Sequence, residues 1–132
     1  MKYDKIALFT DLDGTLLNSR RQVSDENLAA LARFTAEGGL FGISTGRAPS
    51  NALPPLPINT WSVFLNGAES YHFQKQKAGT VKTLPKEQLL SLITWVLETF
   101  PHVNVQICAV DTLLFVSDPA YEDRDFVDTH QP

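Results

Sequence analysis

Ile6-Ala7-Leu8-Phe9-Thr10 forms a short run that stops at Asp11 and Asp13-Gly14. A continuous apolar run closed by turn residues is the pattern of a strand buried on both faces, so it predicts a central parallel strand. Ser24 then offers a helix N-cap, Asp25 and Glu26 place negative charge in the first turn, and Leu28, Leu31 and Ala32 recur at helical spacing before Gly38-Gly39. Leu40 to Ser44 repeats the buried-strand pattern and stops at Thr45-Gly46, and Trp61 to Leu65 does so before Asn66-Gly67. Between them, Arg47 to Leu53 predicts a short helix ended by Pro54-Pro55 and Pro57. Strand, helix, strand, short helix, strand is the order of a parallel sheet covered by helices, which makes the first half of the chain α/β.

After Asn66 the texture changes. Glu69 to Phe73 and Thr80 to Leu84 predict hairpin strands around the polar stretch Gln74 to Gly79. Leu89, Leu92, Ile93, Val96, Leu97 and Phe100 follow a helical period between Pro85 and Pro101. Val103, Val105 and Ile107 alternate with polar or small residues, and Leu113 to Val116 follow an Asp111-Thr112 turn, so a second sheet begins here. Asp118 to Pro132 is acidic and poor in apolar residues, and reads as a loop, a frayed helix or a disordered end.

Composition narrows the class of partner. The 132 residues carry 11 Lys+Arg against 15 Asp+Glu, a formal charge of −4, with no basic cluster beyond Arg20-Arg21. Such a balance gives no general attraction to a phosphate backbone or an anionic membrane, so neither nucleic acid nor membrane is an expected partner. The single cysteine, Cys108, excludes an intrachain disulfide. The run Ile6 to Phe9 is too short for a signal sequence or a membrane span, and the expectation is a cytoplasmic protein.

The candidate chemistry sits at the predicted strand ends, where open α/β sheets place their ligands. Asp11 and Asp13, two residues apart at the mouth of a strand, can share one Mg²⁺, a hard cation that takes oxygen ligands and keeps waters for exchange. With a phosphate ester on that ion, Asp11 could attack phosphorus while Asp13 protonates the leaving oxygen. Gly14 would let the phosphate approach the backbone. Thr45 follows Asp11 by 34 residues at the end of the next strand, so the two ends should lie side by side. Its hydroxyl, the N–H groups after Gly46 and the Arg47 guanidinium could all hold phosphoryl oxygens. The plainer readings are a turn at Asp13-Gly14 with Asp11 as a solvated cap, and Thr45 as an N-cap followed by a surface arginine.

Together these segments resemble the haloacid dehalogenase (HAD) superfamily of phosphatases. IALFTDLDGTLL, Ile6 to Leu17, is similar to the family's first motif, and LFGISTGR, Leu40 to Arg47, to its second. The Asn66-Gly67-Ala68 that follows the third apolar run resembles the Cof-type branch. The resemblance implies a Rossmannoid three-layer α/β core with a parallel sheet and flanking helices, followed by an α/β cap. Residues 1–68 would form the first part of the core, 69–117 part of the cap, and 118–132 an acidic tail. It implies Mg²⁺-dependent hydrolysis of a small phosphorylated metabolite, such as a sugar phosphate, a nucleotide or a cofactor phosphate. By the same resemblance Asp11 forms an aspartyl-phosphate, Asp13 is the general acid and base, and Thr45 binds phosphate. The metal takes a carboxylate oxygen of Asp11 and the main-chain carbonyl of Asp13, and Arg47, Asn66 and Gly67 line the substrate pocket. The family's later lysine and its GDxxND-type acidic motif have no counterpart in these 132 residues.

Two other readings compete. Gly42-Ile43-Ser44-Thr45-Gly46 also fits the G-x-S-x-G nucleophile elbow, which would make Ser44 a serine-hydrolase nucleophile with Asp111 or Asp118 and His130. The other is a catalytically incomplete HAD fragment that self-associates as a homo-oligomer to cover an exposed sheet edge. His72, His102 and His130 lack metal-ligand spacing and read as surface or satisfied histidines, Cys108 as a buried, inert strand residue, and Trp61, Trp95 and Phe100 as packing.

Overall fold

The computed structural model describes residues 1–49, 53–109 and 113–115, and its contacts divide them into two compact units. The first comprises residues 1–49 and 53–82, the second residues from 83 onward.

In the first unit β1 (Ala7–Thr10) and β2 (Leu40–Ile43) pair in parallel, Ala7 opposite Leu40 and Thr10 opposite Ile43. The ladder passes through a parallel bridge between Ser44 and Val63 to β3 (Ser62–Phe64). From there it runs antiparallel into β4 (Glu69–His72) and β5 (Lys77–Val81). On the side of β2 away from β1, Asn59 N–H donates to the Phe41 carbonyl at 3.1 Å, and side chains supply further partners. Asn59 accepts from the Phe41 N–H at 2.7 Å and donates to the Gly39 carbonyl at 2.9 Å, and the Ser62 hydroxyl accepts from the Ile43 N–H at 3.1 Å. Buried main-chain groups must find partners somewhere, and here two polar side chains provide them.

Helix α1 (Asp25–Ala36) begins where the sequence pattern places it, with the Ser24 hydroxyl accepting from the Asn27 N–H at 3.2 Å. It sends Leu31 into a core of Leu12, Leu17, Phe41, Ile43 and Phe64. Phe41, Gly42 and Ile43 are buried on both faces, so β2 is the interior strand. Among the described residues β1 is not the buried central strand that its apolar run predicts. Leu8 and Phe9 are 42% and 48% exposed, because among the described residues β1 pairs with β2 alone. Nor does a helix start at Arg47: residues 47–49 are irregular, and the rest of that predicted segment, 50–52, lies outside the described residues.

The hairpin after Asn66 forms, but its second strand starts earlier than the pattern predicts. The chain reverses over Phe73–Lys75, and Gln76 in the left-handed conformation (φ 46°) feeds directly into Lys77. Because β4 and β5 extend the sheet from β3, the hairpin groups by its contacts with residues 1–68, and the division falls after Lys82.

The second unit holds α2 (Lys86–Thr99), which starts after Pro85, and a hairpin of β6 (Gln106–Cys108) with β7 (Leu113–Phe115). Leu89, Ile93, Val96 and Leu97 form the half-buried stripe of α2, whereas Leu92, Trp95 and Phe100 are exposed, the two rings meeting edge to face at 5.9 Å. Cys108 is exposed rather than buried, and partial burial still pushes its thiol up, which leaves it a poor nucleophile. The acidic tail 118–132 and His130 lie outside the described residues. Among those described, no helix is long and apolar enough to cross a membrane.

A methyl group at Gly42 would stand 2.6 Å from the Trp61 carbonyl and 2.7 Å from the Phe9 ring. The backbone atom cannot yield, so Gly42→Ala should lower the unfolding free energy by about 1–3 kcal/mol, read as a lower urea midpoint at unchanged slope.

Candidate active site

Asp11 leaves the end of β1 in extended conformation, and its Oδ1 accepts from the Leu12 N–H at 2.7 Å. The next residues close a wide turn in which the Leu16 N–H reaches the Asp11 carbonyl at 3.3 Å and the Leu17 N–H the Leu12 carbonyl at 2.9 Å. Leu12 is fully buried, anchoring the turn in the core, while Asp11 and Asp13 stay accessible at its rim. Gly14 sits at φ 74° with open space around its α-carbon, so the left-handed backbone, not crowding, is the reason for a glycine here.

The end of β2 supplies the facing wall. Thr45 is 4% exposed; its hydroxyl accepts from the Arg47 N–H at 3.2 Å, and its main chain is tied to β3 and the segment after it by Thr45 N–H to Val63 at 3.0 Å and Asn66 N–H to Thr45 at 3.3 Å. Leu65, Asn66 and Gly67 all have positive φ, at 51°, 53° and 99°. This curl sets the Asn66 amide so near Gly46 that a β-carbon there would lie 3.2 Å from its Oδ1. Gly46 is thus a close-approach residue, and Asn66 is the non-glycine type best suited to the left-handed region.

The dominant interaction at the site is between Arg47 and Asp13. Arg47 Nε donates to Asp13 Oδ2 at 2.8 Å and Nη2 to Oδ1 at 2.7 Å, a two-pronged pair in which the arginine is 8% exposed and the aspartate 50%. The hydrogen bond to Asp13 pushes the guanidinium above its ordinary pKa, the charges of Asp13 and Asp11 add to this, and burial opposes it. Asp11, Asp13, Thr45 and Arg47 therefore gather at one end of the β1–β2 pair, with Gly46, Asn66 and Gly67 beside them. Arg47, read from the sequence as a group for phosphate or substrate, is engaged with Asp13 in this structure. The signal for that pair was present: Asp13 and Arg47 have the same 34-residue separation as Asp11 and Thr45.

The donor set suits a hard cation. The second carboxylate oxygen of Asp11 and the Asp13 carbonyl are oxygen donors of the kind Mg²⁺ accepts along with water and phosphate. Among the described residues no three His, Cys, Asp or Glu side chains converge as a ready-made metal cage. Nor does any described histidine hydrogen-bond to Ser44, and Asp111, Asp118 and His130 of the serine-hydrolase reading lie outside the described residues. His72 is neither a surface nor a satisfied histidine: it is 5% exposed, stacked edge-on to Trp61 at 5.2 Å, and its Nδ1 makes no hydrogen bond.

A family model, haloacid dehalogenase-like hydrolase, matches residues 8–131. The chain belongs to that family. It is 39% identical over 88 residues to phosphatase YwpJ of Bacillus subtilis (strain 168), covering 64% of this chain and 30% of that protein. It is 30% identical over 122 residues to the 5-amino-6-(5-phospho-D-ribitylamino)uracil phosphatase YitU of the same organism, covering 89% and 43%. The HAD subclass IIB sugar phosphatase BT4131 shares the fold, with a TM-score of 0.77 at 20% identity over 95% of this chain and 49% of that one. The chain spans less than half the length of each.

Neutralising Asp13 takes the charge of the two-pronged pair away from a buried guanidinium. Asp13→Asn should cost about 1–2 kcal/mol of stability, a value reduced for the exposure of Asp13. Asp11→Asn, whose amide oxygen can still accept from Leu12, should stay within about 0.5 kcal/mol in the same urea titration.

Proposed function

We propose that this chain carries the nucleophile half of a Mg²⁺-dependent phosphatase site that hydrolyses the phosphomonoester of a small phosphorylated metabolite. The observation that carries this reading is the convergence of Asp11 and Asp13 from the end of β1 on Thr45 and Arg47 from the end of β2. The named activities of YwpJ and YitU, both phosphatases, support it, and the sugar phosphatase BT4131 supports a small polar leaving group.

Asp11 has a free carboxylate oxygen at an accessible strand end, so it attacks phosphorus, forming an aspartyl-phosphate as the ester P–O bond breaks. Asp13 gives a proton to the departing oxygen. In the second step water attacks phosphorus, the bond to Asp11 breaks, and Asp13 takes the water's proton, restoring both groups. A carboxylate oxygen of Asp11 and the Asp13 carbonyl would hold Mg²⁺, which would supply positive charge for the phosphoryl oxygens. Thr45, with its oxygen accepting from Arg47 N–H, keeps its hydroxyl proton to donate to one of them. Arg47 has two claimants, the Asp13 carboxylate and the incoming phosphoryl group. To hold a transferable proton, Asp13 must yield one of the oxygens that now accept from Arg47, so arrival of substrate and release of Asp13 are coupled.

The test is hydrolysis of a generic aryl phosphate by the purified, folded chain. Activity should require Mg²⁺ and vanish with EDTA, fall to background in Asp11→Asn, and drop by about 10²–10⁴-fold in Asp13→Asn. Equal rates in the wild type and Asp11→Asn would overturn the reading.

A further inference from the structure

Arg47 is held from three directions. Its N–H donates to the Thr45 hydroxyl at 3.2 Å, its carbonyl accepts from the Leu65 N–H at 3.0 Å, and its guanidinium takes both oxygens of Asp13. The two main-chain bonds tie it to the end of β2 and to the left-handed curl after β3, where Leu65 has φ 51°. The arginine is thus fixed by structure that does not involve Asp13. Its partner is the freer half of the pair. Asp13 is 50% exposed and stands in the turn with extended backbone (φ −72°, ψ 122°), next to the left-handed Gly14. A side chain half in solvent on such a turn has several staggered rotamers open to it, and a fork of two parallel donors selects one.

We propose that Arg47 is a positioning residue for Asp13: it aims the carboxyl at the oxygen that leaves, and its effect is felt in that proton transfer more than in the hold on the phosphoryl group. This role rests on the phosphatase reading of Asp11 and Asp13. As the Asp11 oxygen bonds to phosphorus, the ester P–O bond breaks, its electron pair stays with the leaving oxygen, and the proton of Asp13 passes to that oxygen. A protonated carboxyl carries its proton on one oxygen and still accepts on the other. One prong of the fork therefore keeps the aim while the other is given up.

The leaving group separates the two duties an arginine could have here. A phenolate departs without a proton, whereas an alkoxide is too basic to do so, and only the second depends strongly on a well-aimed acid. A guanidinium that merely neutralised phosphoryl oxygens would serve both esters alike, because the phosphoryl group is the same in each. The quantity to compare is kcat/KM, which reports the steps up to ester cleavage. Hydrolysis of the aspartyl-phosphate, where Asp13 acts as base, comes later and is common to both esters.

The test measures kcat/KM with Mg²⁺ for an aryl phosphate and for glycerol 3-phosphate, an alkyl ester, in the wild type, Arg47→Lys, Asp13→Asn and the double variant. Lysine keeps the charge but cannot offer two parallel donors. Arg47→Lys should therefore lower kcat/KM for the alkyl ester at least about tenfold more than for the aryl ester, as should Asp13→Asn. In the Asp13→Asn background the lysine should widen that difference by no more than about twofold, since residues that act as a unit are not additive. Equal losses on the two esters in Arg47→Lys overturn the proposal, and a shared rise in KM at unchanged kcat gives Arg47 to phosphate binding instead. Arg47→Gln, which donates from a single nitrogen, gives the same reading if Arg47→Lys does not fold. The pairing is also read without turnover: in urea the double variant should lose less stability than the two single variants together, and additive losses overturn it. A folded wild type that cleaves neither ester overturns the phosphatase reading and the positioning role with it, while the pairing still stands or falls on the unfolding cycle.

Discussion

The parallel ladder between Ala7–Thr10 and Leu40–Ile43 is the constraint on which the candidate site depends. Parallel strands that start in step also end in step, so the residues just beyond their carboxyl ends are delivered to one place. That is how Asp11 and Asp13 come to face Thr45 and Arg47 although more than thirty residues separate them. Helix α1 is the crossover that permits the arrangement, and the burial of Leu31 against Leu12, Phe41 and Ile43 holds it down.

The backbone beyond the strands is shaped by a few conformationally special residues. The wide turn after Asp11 needs the left-handed Gly14, and the curl at Leu65-Asn66-Gly67 needs three positive φ values in succession. The curl brings Asn66 against Gly46 and ties its N–H to Thr45, so the third strand's end buttresses the second. Such a cluster of strained backbone is stable only where surrounding structure over-determines it, and here that structure is the β2–β3 connection with its Asn59 and Ser62 side-chain bonds.

The same ladder treats its strands unequally among the described residues. β2 lies between β1 and β3, whereas β1 carries apolar side chains on both faces and, among the described residues, pairs with β2 alone. Asp11 sits at the end of the more exposed of the two strands.

The sequence by itself determined the local elements whose signals are short-range. The cap at Ser24, the period of α2 after Pro85, the strand pattern of Leu40 to Ile43 and the stops at Asp11 and Thr45 are all legible from neighbours a few residues apart. The motifs around Asp11 and Thr45, and the family they point to, were legible for the same reason. Tertiary structure alone decided which strand is interior, because a run such as Ile6 to Thr10 states its apolarity but not how many neighbours it finds. It alone turned Arg47 toward Asp13, since an arginine can reach several acceptors and only the ladder register puts one within 2.8 Å. It also alone set the hairpin's start at Lys77, through a left-handed Gln76 that no propensity favours. Short-range chemistry is written in adjacent residues, whereas edges, registers and charge partners are settled only when distant segments meet.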